Sequence, residues 1–144
     1  MSTEGTDLNA SMSGSNISGT ILAFDFGLKR IGVAVGNTIT QQAQALSIIS
    51  AASNDAKFLV VEKLIREWDP VLCVVGYPLH PDGNEHEMSV RCKRFANQLH
   101  GRYGVAVTLV DERYTSAMFN AKRGEHIDDQ AAALILQQYF DQAV

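Results

Sequence analysis

Three acidic positions stand where an apolar run gives way or a helix begins: Asp25, the pair Asp111-Glu112, and the pair Asp128-Asp129. Three hard, anionic oxygen donors are what Mg²⁺ or Mn²⁺ takes, leaving coordination positions for water and a substrate phosphate. A site built that way activates a water and stabilises the leaving oxygen of a phosphodiester. Asp25 makes the strongest demand, because it interrupts the apolar run Ile21-Leu22-Ala23-Phe24. An ionised carboxylate in such a setting costs folding energy unless something pairs with it. Plainer readings exist for the other two. Asp128 and Asp129 suit the positive end of a helix, and Asp111-Glu112-Arg113 suits a surface turn. The matching placement of all three favours the metal.

Cations accompany these acids. Lys29, Arg30, Arg91, Arg94, Arg102, Arg113, Lys122 and Arg123 fall in loops or on one stripe of a helical pattern. Either they form an ordinary solvated face, or they hold phosphates around the acidic cluster. His80, His86, His100 and His126 show no ligand spacing, and Cys73 and Cys92 read as buried thiols.

The elements that must position these groups follow from periodicity. Residues 20–26 and 30–36 are two nearly continuous apolar strands joined by a tight turn, as expected of strands covered on both faces. Gly32 and Gly36 mark a close approach by another group. After a polar connection over 37–44, residues 45–50 read as a third strand. Ser53 to Asp55 offer a helix cap, and Phe58, Val61, Leu64, Ile65 and Trp68 share one helical face that Asp69-Pro70 ends. Glu62–Arg66 and Lys63–Glu67 are spaced as i,i+4 pairs. A buried strand over 71–75 leads to the turn chemistry of Pro81-Asp82-Gly83-Asn84. A helix over 85–100 is expected next, bracketed by Gly101 and Gly104, with Met88, Cys92, Phe95, Ala96 and Leu99 inward. A strand over 105–110, a short helix over 115–122, a loop over 123–127 and a last helix over 128–142 complete the chain. The last helix has Ala132, Ile135, Leu136, Tyr139 and Phe140 inward. The expected architecture is an α/β domain: a five-stranded mixed sheet, three antiparallel strands then helix-linked strands, flanked by helices.

The chain has 144 residues with 46% hydrophobic and 19% charged residues, ordinary for a globular protein. Residues 1–19 are rich in Ser, Gly, Asn and Thr and read as a disordered leader before one domain over 20–144. No apolar run has the length of a membrane span, and the leader lacks signal-peptide character. A cytoplasmic location is the default expectation, without membrane partners. A net charge of −4 argues against bulk non-specific nucleic-acid binding but leaves room for a local basic surface.

Four blocks, in order, resemble one family. They are Ala23-Phe24-Asp25-Phe26-Gly27-Leu28-Lys29-Arg30-Ile31-Gly32-Val33-Ala34-Val35-Gly36; Val74-Val75-Gly76-Tyr77-Pro78 with Asp82-Gly83; Asp111-Glu112-Arg113-Tyr114-Thr115-Ser116; and Ile127-Asp128-Asp129 with Ala131-Ala132 and Ile135-Leu136. Together they resemble the YqgF family, also called RuvX-like Holliday junction resolvases, from about Ile21 to the end of the chain. The resemblance implies an RNase H-like fold and a nuclease dependent on Mg²⁺ or Mn²⁺, linked to maturation of the 5′ end of 16S ribosomal RNA from its precursor. It implies Asp25, Glu112 and Asp128 as metal-binding acids, with Asp111 and Asp129 as alternates. Lys29, Arg30, Arg91, Arg94 and Arg113 are the expected substrate contacts, and Gly76 and Pro78 shape a loop beside the site. The expected partner is precursor rRNA or another structured nucleic acid, and a ribosomal subunit is a further candidate. The expected state is a monomer, with a weak dimer as the alternative. A Holliday junction resolvase and a non-catalytic RNA- or ribosome-binding module of the same fold are the rival functions. The stretch between Arg113 and Asp128 is shorter than the family's, a departure that bears on substrate binding.

Overall fold

The computed structural model describes residues 18–112 and 129–142. The opening hairpin is β1 (Thr20–Phe26) and β2 (Arg30–Asn37), paired antiparallel with Phe26 opposite Ile31 and Asp25 opposite Gly32. β3 (Gln42–Ser50) continues the meander, with an irregularity opposite Val33 and Ala34. It starts three residues before the expected position. Side chains alternate along the strand, so Gln42 and Gln44 are exposed on one face while Ala43 and Ala45 are part-buried on the other, and polarity conceals the strand.

Helix α1 (Asn54–Trp68) is capped by Ser53, whose side chain accepts from the Ala56 amide, and closes on Asp69 in the left-handed region. β4 (Leu72–Tyr77) lies parallel to β1, α2 (Glu87–Tyr103) crosses back, and β5 (Val107–Asp111) lies parallel to β4. α3 (Asp129–Gln142) follows. The sheet order is β3-β2-β1-β4-β5, the mixed five-stranded arrangement expected. The short helix and loop expected over 115–127 lie outside the described residues.

Because side chains alternate along a strand, the sheet builds two cores. Leu22, Phe24, Ile31, Val33, Cys73 and Val75 face α1 and α2, while Ile21, Ala23, Ala34, Leu72, Val74 and Val110 face α3. Phe95 of α2 anchors the first core, stacked on Phe26 at 4.9 Å and edge-on to Phe24 at 5.6 Å between ring centroids. On the other face Gly36 lets α3 sit close: a Cβ there would come within 2.8 Å of the Phe140 ring and 3.0 Å of Leu136. Ala131 is buried in this core, and Tyr139, expected inward, is only half-buried.

Two local expectations are corrected. Lys63 and Glu67 form no ion pair among the described residues, whereas Glu62 and Arg66 meet at 2.7 Å. Gly101 does not bracket α2 but lies within it; the helix closes at Gly104, at φ 69°. Nothing lies within 4 Å of a Cβ placed on Gly101. Gly101→Ala is therefore expected to stabilise the fold by about 0.5–1 kcal/mol through the helix interior and the unfolded state, read from urea midpoints.

Candidate metal centre

Strands β1, β4 and β5 run in one direction, so their carboxyl ends share one edge of the sheet, where α/β folds collect ligands. Asp25 sits one residue before the end of β1, and Glu112 directly follows β5. The β1–β4 register, Phe24 opposite Val75, continues to place Asp25 level with Gly76. Asp25 follows the parity of Ile21 and Ala23, toward α3.

Glu112 points the same way. A Cβ placed on Gly76 would stand 2.6 Å from Glu112 Oε2 and 2.6 Å from Ile135 Cδ1. Gly76 therefore leaves the space in which the Glu112 carboxylate and α3 meet. On its other side Asp25 is opposite Gly32, so small residues flank it on both neighbouring strands. Asp111, the alternate, pairs with Tyr77 and has the parity of Leu109, toward α1 and α2; its carbonyl accepts from Gln138 Nε2 at 3.0 Å.

Glu112 is buried, 8% exposed. Burial, then the charge of Asp25, then that of Asp111, push its carboxyl up from 4.5 to about 8. Neighbouring acids thus work against ionisation. A hard divalent cation bound by both Asp25 and Glu112 reverses that balance, so the donor set fits Mg²⁺ or Mn²⁺. No group of three or more candidate ligands occurs among the described residues. Asp128 lies outside them, and Asp129 opens α3. Ile135 of that helix reaches the space over Gly76 beside Glu112, and Leu136 and Phe140 lie against Gly36 at the far end of the sheet.

The cations distribute unevenly. Lys29 is exposed in the β1–β2 turn, and Arg30 opens β2 with the parity of Gly32, diagonal to Asp25 on its face. Arg91 lies near the start of α2, at the site edge but in the helix layer of the other face. It is paired with Glu87 at 3.0 Å, and its Nε is buried without a hydrogen-bond partner. Arg94 is exposed one turn on. Arg102 packs its guanidinium over the Phe58 ring at 4.0 Å, at the far end of α2 from the site edge. Arg113, Lys122 and Arg123 lie outside the described residues.

The loop beyond β4 is braced by Ser89, fully buried, whose hydroxyl donates to the Pro78 carbonyl and accepts from the His86 amide at 3.1 Å. His86 caps α2 by accepting from the Met88 amide at 3.1 Å. Both cysteine thiols are pushed up to about 12: Cys73 by burial, Cys92 by burial and then by Glu112 and Asp25. Neutral at ordinary pH, they are not nucleophiles.

Sequence reasoning missed Lys57, which is 7% exposed and donates to the Leu28 carbonyl at 2.6 Å. The signal was present: Lys57 shares the helical stripe of Val61 and Leu64.

Residues 19–142 match the family profile described as "RuvX: Holliday junction resolvase". A Cupriavidus pinatubonensis protein named "Putative pre-16S rRNA nuclease" is 54% identical over 127 residues, covering 86% of this chain and 89% of the relative. The protein of the same name from Cupriavidus necator is 52% identical over 127 residues, with the same coverage. Among solved structures, Thermus thermophilus RuvC in complex with Holliday junction substrate aligns with a TM-score of 0.54 at 15% identity, over 85% of this chain and 94% of that one. Fowlpox virus resolvase with Holliday junction DNA aligns at 0.57 and 9% identity, over 87% and 99%. These similarities establish the RNase H-like fold.

Proposed function

This chain belongs to the RuvX family of nucleases, and on that premise we propose that it hydrolyses the phosphodiester backbone of RNA with a divalent cation, maturing the 5′ end of 16S rRNA from its precursor. The observation that carries the reading is the convergence of Asp25 and Glu112 at Gly76, on the edge where the parallel strands end.

Asp25, Glu112 and Asp128 would hold the ion. When bound, Mg²⁺ or Mn²⁺ supplies a Lewis acid for the scissile phosphate and a lowered pKa for an attacking water. The chain's own residues do the rest. Gly76 leaves room for the Glu112 carboxylate on the face of Asp25, and Gly32, opposite Asp25, adds no side chain on the other flank. Arg30, diagonal to Asp25, and Lys29 in the turn hold the backbone and offset its repulsion by the acids. Arg91, near the start of α2 at the same edge, adds a cation to the track, its Nη2 paired with Glu87. Arg94 extends the track, and Arg113, next after Glu112 in the sequence, adds a cation.

RNA is favoured over a four-way junction because the relatives at about half identity carry the rRNA name. Among the described residues no helix is long and apolar enough to cross a membrane.

The test incubates the protein with precursor 16S RNA and with a four-way DNA junction, in Mg²⁺ or Mn²⁺ and in chelator. RNA cleavage near the 5′ end should fall by at least about a hundredfold in chelator. Cutting of the junction alone would reassign the substrate. Ion-independent RNA retention without cleavage would favour a non-catalytic binding module.

A further inference from the structure

Lys57 is nine-tenths buried, yet it comes from the first turn of α1 and its Nζ reaches out of that helix to the Leu28 carbonyl at 2.6 Å. A buried ammonium is retained only where hydrogen bonds replace its water. Its acceptor is a backbone atom in the turn that joins the two strands beside the candidate centre. Leu28 and Lys29 bend there without a hydrogen-bonded turn of their own, and the Leu28 side chain is 57% exposed. The ladder on either side of the turn begins only at Phe26 and Ile31. The turn is therefore fastened from outside, by a side chain of a different element.

Directly after the fastened carbonyl come Lys29 and Arg30. Arg30 enters β2 on the face of Asp25, and Lys29 projects from the bend. Cations on an unfastened bend lose conformational entropy on meeting a polyanion, whereas cations on a held bend have lost it already. We propose that Lys57 is a positioning residue for nucleic acid: its bond to Leu28 holds the β1–β2 turn so that Lys29 and Arg30 face the backbone that passes Asp25. The proposal rests on the reading above that these two cations meet substrate. Lys57 itself touches neither substrate nor metal.

The test compares Lys57→Met, which keeps the apolar stem, with Lys57→Arg, which keeps a charged donor, and with Lys29→Ala/Arg30→Ala. Backbone ¹⁵N order parameters report the turn directly, whatever the activity. In Lys57→Met those of residues 28 and 29 should fall from about 0.85 to below about 0.6 while those of β1 keep parental values. Affinity for single-stranded RNA should fall roughly tenfold, and KM rise likewise, with kcat within about twofold of the parent. The slope of log affinity against log salt should shrink by about one as one backbone contact is lost. Lys57→Arg should restore affinity and KM. If Lys57→Met impairs folding, Lys57→Gln takes its place with the same readouts.

Unchanged order parameters at the turn overturn the proposal, as does a loosened turn with parental affinity and KM. If Lys29→Ala/Arg30→Ala loses affinity and Lys57→Met does not, positioning fails while the substrate reading stands. If the double variant binds RNA like the parent, the substrate reading of the turn fails, and the proposal with it.

Discussion

Asp25→Asn should reduce metal-dependent RNA cleavage by on the order of a thousandfold or more while leaving the fold intact. The substitution keeps the shape of the side chain and removes the anionic oxygen. Nothing else on β1 changes: its backbone stays paired with β2 on one side and β4 on the other. The loss should lie in kcat and in metal affinity, since the cations proposed to hold the backbone are untouched. Far-UV circular dichroism and the urea midpoint should match the parent, and RNA binding in chelator should persist. A variant that cleaves at the parental rate removes Asp25 from the site.

Glu112→Gln has the second large consequence, and on stability its sign is opposite to that of most substitutions. Burial and the two neighbouring acids hold the Glu112 carboxyl at about 8 in the folded protein against its ordinary 4.5. Between those values the folded chain keeps a proton that the unfolded chain has released. Metal-free stability should therefore be greatest at the acid end of that window and decline as pH rises through 8. A shift of that size corresponds to a few kcal/mol across the window. Glu112→Gln keeps the shape without the charge, so it should be more stable than the parent at pH 8, by about 2–4 kcal/mol, and show little of the decline. It should also lose cleavage. Urea titrations in chelator at pH 5.5 and 8 read both effects. A divalent ion should raise the parent's stability at pH 8 much more than the variant's. A decline that survives in Glu112→Gln would place the buried proton elsewhere.

The two acids were legible in the sequence to different degrees. Asp25 announced itself because it breaks an apolar run, and the hairpin around it follows from continuous burial on both faces. The choice between Asp111 and Glu112 needed the β4–β5 register and the space above Gly76, neither of which exists in one dimension. The start of β3 was hidden for a related reason. Gln42 and Gln44 contribute backbone to the ladder and side chains to water, so composition there describes solvent rather than structure. Lys57 was hidden by its charge: a lysine reads as solvated until its partner, a carbonyl 29 positions earlier, is brought to it by the fold. Gly101 misled in the opposite direction, since a glycine near a helix end resembles a stop signal even where the helix runs on.

The central place of β1 carries a consequence for when the protein can work. β1 is hydrogen-bonded along both edges and packed on both faces, so freeing it requires opening the sheet and both cores at once. Local fluctuations that fray an edge strand or loosen a turn leave it in place. The strand that carries the carboxylate is thus held by the whole domain, and the hairpin turn one residue beyond its end belongs to a softer regime. Rigidity in this molecule is graded over a few residues: the acid keeps time with the whole domain, and the cations beside it keep time with a single side chain.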